Sequence, residues 1–260
     1  MSETQNKTMV ICIIAFIAIG SLLAGVLAFY GTSNFTWSPY SQYGINWNPA
    51  ELTEFQFEDD TSTMSDSTTL RVNISASIVN VKFEHSNDLL YRFDMLVPNQ
   101  TVQDYGNPVV EYASNTVSLN YPAAAVNITL GSGTNYTMDI DIITGAAELI
   151  IADYSHVGDI DVDISAGELD FLLSDDSSIF GDVDVTLTVD AGQVSITVDL
   201  PTNVGGDFEG STGFGAVDVT TTTWTEITPT HYRTSNYDTA PNTLSILAST
   251  NAGEITANLL

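Results

Sequence analysis

The sequence predicts a mostly β protein, a stacked-strand, β-solenoid-like domain carried behind one N-terminal transmembrane helix. Three observations lead there. Residues 9–30 are an uncharged apolar run. Beyond residue 69, apolar residues recur with period two, the mark of half-buried strands. Two short glycine-containing marks also return at steps of 23 and 25 residues, and repeats of this size signal solenoids or arrays.

The N-terminal region follows from charge and length. Residues 1–8 read as a short cytoplasmic segment and residues 9–30 as a membrane span, because a bilayer core takes about 20 apolar residues. A cleaved signal peptide has a shorter apolar core. Val26-Leu27-Ala28 is still a tolerable cleavage context, so an uncleaved anchor and a removed signal both stay open. Lys7 is the only base near the run, and the positive-inside tendency then places the rest of the chain outside. Cys12, the single cysteine, falls within the run, which leaves no disulfide framework and no thiolate metal site. Gly20, Ala24 and Ala28 recur every fourth residue, a face on which helices pack in membranes and which allows a homo-oligomer. Residues 31–68 read as a tether, with Trp37, Tyr40, Tyr43 and Trp47 suited to the membrane interface or to a first packed turn. Asn34, Asn73, Asn99, Asn127 and Asn135 head Asn-X-Ser/Thr sequons, all beyond the span, as a surface glycoprotein would allow.

The domain itself is expected over residues 69–260. Gly158-Asp159-Ile160-Asp161, Gly181-Asp182-Val183-Asp184 and Gly206-Asp207-Phe208-Glu209 form one mark. Ala166-Gly167-Glu168-Leu169, Ala191-Gly192-Gln193-Val194 and Phe214-Gly215-Ala216-Val217 form the second, with Ala147-Glu148-Leu149 earlier and Ala252-Gly253-Glu254-Ile255 near the end. Between marks, Ile160, Val162 and Ile164 alternate with Asp159, Asp161 and Asp163, and the run from Val183 to Val189 does likewise. Each repeat is expected to supply two strands and two turns, with the glycines at the corners.

The runs at 74–84, 143–153, 164–171, 189–201, 211–219 and 249–259 resemble the rungs of the putative-adhesin and toastrack-like β-solenoid domain family of prokaryotic envelope proteins. The resemblance covers about three quarters of the chain and rests on short, degenerate motifs. It implies a β-solenoid tethered to a membrane helix, with a role in surface adhesion or envelope-stress sensing, and it transfers no catalytic or ligand residues. The sequence departs from the pattern at Ala76-Ser77 and Ala146-Ala147, read as replacing rung glycines. It departs again at an insertion over residues 220–243, before the last rung.

Charge sets the function classes. The 260 residues hold 33 acids against five Lys and Arg, a formal charge of −28, yet 43% are hydrophobic. That apolar content excludes a disordered acidic tail, and so few bases exclude a nucleic-acid partner. In-register stacking would place Asp139/Asp141, Asp159/Asp161 and Asp182/Asp184 in two ladders, where like charges repel. Salt, low external pH or a cation would relieve this. Asp159, Asp161, Asp182 and Asp184 are the calcium candidates, although no calcium-roll or EF-hand pattern accompanies them. His85, His156 and His231 have no metal-ligand spacing, and no nucleophile elbow or phosphate loop is present, so no catalytic residue, no enzyme and no cofactor beyond possible calcium is expected. The insertion gathers Trp224, Tyr232, Arg233 and Tyr237, either as a recognition surface or as a cap over the open end of the solenoid. The reading is a single-pass cell-membrane protein with an extracellular, non-enzymatic adhesion module for an unknown protein or envelope partner. Its alternatives are an envelope-stress sensor binding cationic ligands and a structural subunit of a surface layer or filament.

Overall fold

The alternating runs become the columns of one sheet in the computed structural model, which describes residues 51–60 and 67–260. Seven strands dominate, each 15–18 residues long: β2 (Ser67–Phe83), β5 (Thr116–Leu130), β6 (Asn135–Ile151), β7 (His156–Leu173), β9 (Asp182–Val198), β10 (Val204–Thr221) and β13 (Asn242–Leu259). Shorter ones complete the sheet: β1 (Leu52–Asp60), β3 (Leu89–Pro98), β4 (Val110–Ala113), β8 (Ser178–Ile179), β11 (Thr225–Thr228) and β12 (His231–Arg233). A short helix, α1 (Asn99–Tyr105), follows β3. The long strands lie parallel in the order β5-β2-β6-β7-β9-β13-β10.

Each rung is one continuous strand bent in the middle, where two strands and two turns were expected. The bend falls on a column of aligned residues: Ser77, Gly145, Gly167, Gly192, Gly253 and Gly215. Gly145, Gly167, Gly192 and Gly215 have φ between 145° and 155°, which side chains rarely adopt. A Cβ on Gly192 would sit 1.7 Å from the Gly167 carbonyl oxygen, so the stacking distance itself requires glycine. Before the bend Val183, Val185, Leu187 and Val189 point inward; after it Val194, Ile196 and Val198 do, all at most 2% exposed. The return from Ile151 to His156 takes four residues, too short to span far. The two limbs of a rung therefore fold toward each other around the core. Each buried aliphatic side chain contributes about 1.5–3 kcal/mol.

Two expectations change. Gly145 occupies the corner of β6, so Ala146 and Ala147 pair with Glu168 and Leu169 and replace no glycine, whereas Ser77 does stand at a corner. The Gly-Asp marks are not aligned, because Ile160 pairs with Val185 and not with Val183. The last rung in sequence, β13, lies inside the stack between β9 and β10, its hydrogen bonds satisfied on both sides.

The ends of the stack are finished differently. Beyond β5, antiparallel β4 covers the first limb and β3 covers the second, with β1 outside β3. Beyond β10, the insertion folds as antiparallel β12 and β11, and β12 pairs only with Asp207, Phe208 and Glu209 of that strand. No helix among the described residues is long and apolar enough to cross a membrane. The apolar run at 9–30 and the tether lie outside them, apart from the tether's residues 51–60 and 67–68.

Candidate functional site

The outward residues of the first limbs form the most charged face. Asp139 lies beside Asp161, and Asp141 beside Asp163. Arg71 ends the first of these rows, its Nε donating to Asp139 Oδ2 at 2.8 Å. On the other side Thr186 and Thr188 follow, so each aspartate ladder is two residues long. The expected ladders are corrected accordingly: the register sets Asp159 next to Asp184, whose backbone N–H donates to Asp159 Oδ1 at 3.0 Å. Asp182 accepts from Thr243 Oγ1 at 2.7 Å. Of the four calcium candidates only Asp159 and Asp184 share a column; Asp161 lies beside Asp139 and Thr186, and Asp182 beside Thr243. Among the described residues no three His, Cys, Asp or Glu side chains are grouped to hold a metal ion.

Crowding still has a cost. Burial, then the charges of Asp139 and Asp161, pushes the Asp141 carboxyl up, while Arg71 opposes this. Burial, then Asp190, Asp141 and Asp161, does the same to Asp163. The largest effect is at a residue that sequence reasoning passed over as one letter of a repeat mark. Glu168, the first residue after the corner of β7, is 7% exposed, and its Oε2 is buried without a hydrogen-bond partner. Burial, with the charge of Asp170, pushes its carboxyl up to about 7. Asp170 is also raised by burial, against a hydrogen bond with Ser195. The signal was present: Glu168 aligns with Ala146 and Gln193, so an acid stands in a column of neutral neighbours.

The insertion is a cap at its aromatic residues. Trp224 is 6% exposed, donates from Nε1 to the Leu260 carbonyl oxygen at 3.3 Å, and lies over Gly206, where a Cβ would be 2.2 Å from the indole. Tyr232 is buried as well, its hydroxyl donating to Pro229 O at 3.4 Å. Neither is available to a partner, because each fills the interior at the β10 end. Arg233 Nε donates to Asp207 Oδ2 at 3.1 Å, and its guanidinium lies 4.5 Å above the Tyr237 ring. His231 Nε2 lies 2.6 Å from Asp207 Oδ1. One carboxylate therefore ties two residues of β12 to β10.

The histidines are apart. His85 packs on Tyr154 with centroids 3.9 Å apart, and His156 stacks on Phe180 at 5.9 Å. Of the sequon asparagines, Asn73 and Asn127 are exposed; Asn127 Oδ1 accepts from Asn80 at 2.9 Å. Asn99 is half-buried and accepts from Thr53 Oγ1 at 2.6 Å, and Asn135 is half-buried with Oδ1 enclosed. Asn34 lies outside the described residues. The arrangement offers a stiff array of carboxylates, able to attract cations and accept hydrogen bonds.

No family model and no curated protein matches the chain. Among solved structures, a Clostridium sporogenes protein named "putative cell adhesion protein" superposes with a TM-score of 0.65 at 13% identity, over 80% of this chain and 100% of that one. The chain shares that protein's fold. A Bacteroides fragilis protein named "putative adhesin" matches over 80% of this chain and 97% of its own at 8% identity, with a TM-score of only 0.28. The adhesin-type resemblance read from the rungs is met at the level of fold.

Proposed function

We propose that the chain is a membrane-anchored cell-surface protein whose external domain is a non-enzymatic adhesion module. The observation that carries the reading is the fold shared with the clostridial protein named "putative cell adhesion protein". Such a sheet is a rigid scaffold with its apolar residues inward and its acids outward. The apolar run at 9–30 supports anchoring and Lys7 supports the outward orientation. Protease added to intact cells producing the full chain should remove the domain and with it the cells' attachment to a partner surface. A domain protected until the cells are lysed would sink the reading.

The paired aspartates favour a second reading, a sensor domain for cationic ligands. Binding of a basic peptide should then weaken steeply with salt and with Asp161→Asn or Asp163→Asn. Salt-independent binding would reject it.

A further inference from the structure

We infer that residues 211–221 of β10 form a self-complementary edge through which two copies of the chain pair, with Gly215 on their two-fold axis. Among the described residues this stretch has a strand on one side only, β13, since β12 stops at Glu209. It is eleven residues long, mostly exposed, and carries one charge, Asp218. Phe214, near its middle, is 83% exposed. The outermost strand at the opposite end, β1, carries Glu54, Glu58, Asp59 and Asp60, the kind of charge that guards an edge against pairing. The β10 edge has no such guard.

The shape of the edge selects the occupant. The strand bends at Gly215, with φ 145°, so a straight peptide could follow only one limb. A second copy placed antiparallel about Gly215 bends where β10 bends and follows both. In that register Phe214 faces Ala216 of the other copy, Thr212 faces Asp218, and Ser211 faces Val219. No like charges oppose one another, and strand addition of this kind draws its affinity from main-chain hydrogen bonds. The pairing also closes. The pairing runs over residues 211–219 of each copy and stops there, because Thr220 and Thr221 would meet Gly210 and Glu209, which Thr230 and His231 already cover. A symmetric contact of this type gives a dimer and not a filament. A basic extended peptide is the competing occupant, suited to the net charge but not to the bend.

The test is the mass of the full chain in detergent micelles, by sedimentation, for the wild type and two variants. Phe214→Asp with Ala216→Asp puts like charges opposite each other twice and should weaken the dimer at least about tenfold. Phe214→Lys with Ala216→Asp puts opposite charges in the same places and should restore it. Residue 214 is largely exposed and 216 exposed, and unchanged melting temperatures will confirm that both variants fold. Added salt should tighten the wild-type dimer, because each copy is acidic. A monomeric wild type overturns the inference, whether or not a polylysine peptide binds it. So does a dimer indifferent to the double aspartate, which would place the contact elsewhere, or a lysine–aspartate variant that stays monomeric.

Discussion

Alanine at Gly192 would set its Cβ 1.7 Å from the Gly167 carbonyl oxygen at a φ of 150°. The backbone conformation alone costs of order 1–3 kcal/mol, and relieving the overlap means forcing neighbouring rungs away from each other. Gly192→Ala is expected to destabilise by at least about 4 kcal/mol in urea unfolding. Gly181→Ala is the control: its φ is 76°, but nothing lies within 4 Å of the added carbon. It should cost only about 1–2 kcal/mol. Equal losses would mean that backbone conformation, and not rung spacing, requires the corner glycines. Glu168 yields a pH dependence. Its folded carboxyl is raised to about 7 from an ordinary 4.5, so the folded chain binds the proton more tightly than the unfolded one. Stability from this group is full below pH 4.5 and is lost as pH rises through 7. Glu168→Gln should therefore stabilise the chain by roughly 2 kcal/mol at pH ~8, allowing for residual solvent screening, and hardly at all at pH ~4. A benefit as large in acid as in base would contradict the assignment.

The insertion behaves as a cap on β10, the outermost long strand, and its residues divide by burial. Trp224→Ala empties a site enclosed by Gly206 and the end of β13, and it should lower stability by about 3–5 kcal/mol, read as a fall in melting temperature. A variant that melts like the wild type would return Trp224 to the surface as a recognition residue. What could be read beforehand follows the same division. Period-two alternation gave the strands and their inward faces, because a buried column tolerates little else. The corner mark held, because stacked backbones exclude a Cβ at Gly167, Gly192 and Gly253 alike. The Gly-Asp mark misled because a strand's start is free to slip: Tyr136 pairs with Val157 but Met138 with Ile160, an irregularity at the edge of the rung. Strand order was also beyond reach, since β13 inserts between β9 and β10 through contacts 38 and 61 residues away in sequence. Trp224 and Tyr232 in a polar stretch fit a cap and a contact surface equally well until burial is known.

Among the described residues, part of the acidic excess lies in short rows of two aspartates, interrupted by Arg71 and by threonines. Burial and neighbouring acids push up the carboxyls of Asp141 and Asp163, so the rows are partly desolvated and their charges repel. Added salt should accordingly raise the melting temperature, most at mildly alkaline pH, and Asp161→Asn should reduce that salt response. An unchanged response would mean that desolvation alone sets these groups. Charge of one sign, held on a sheet, is compatible with the adhesive role proposed above. Retention of cells under flow on a layer of neighbouring cells decides the matter, comparing the full chain with one lacking residues 51–260. Cells with the full chain should be retained, and external protease should reduce them to the level of the truncated form. Equal retention of the two, before any protease is added, would contradict an adhesive role.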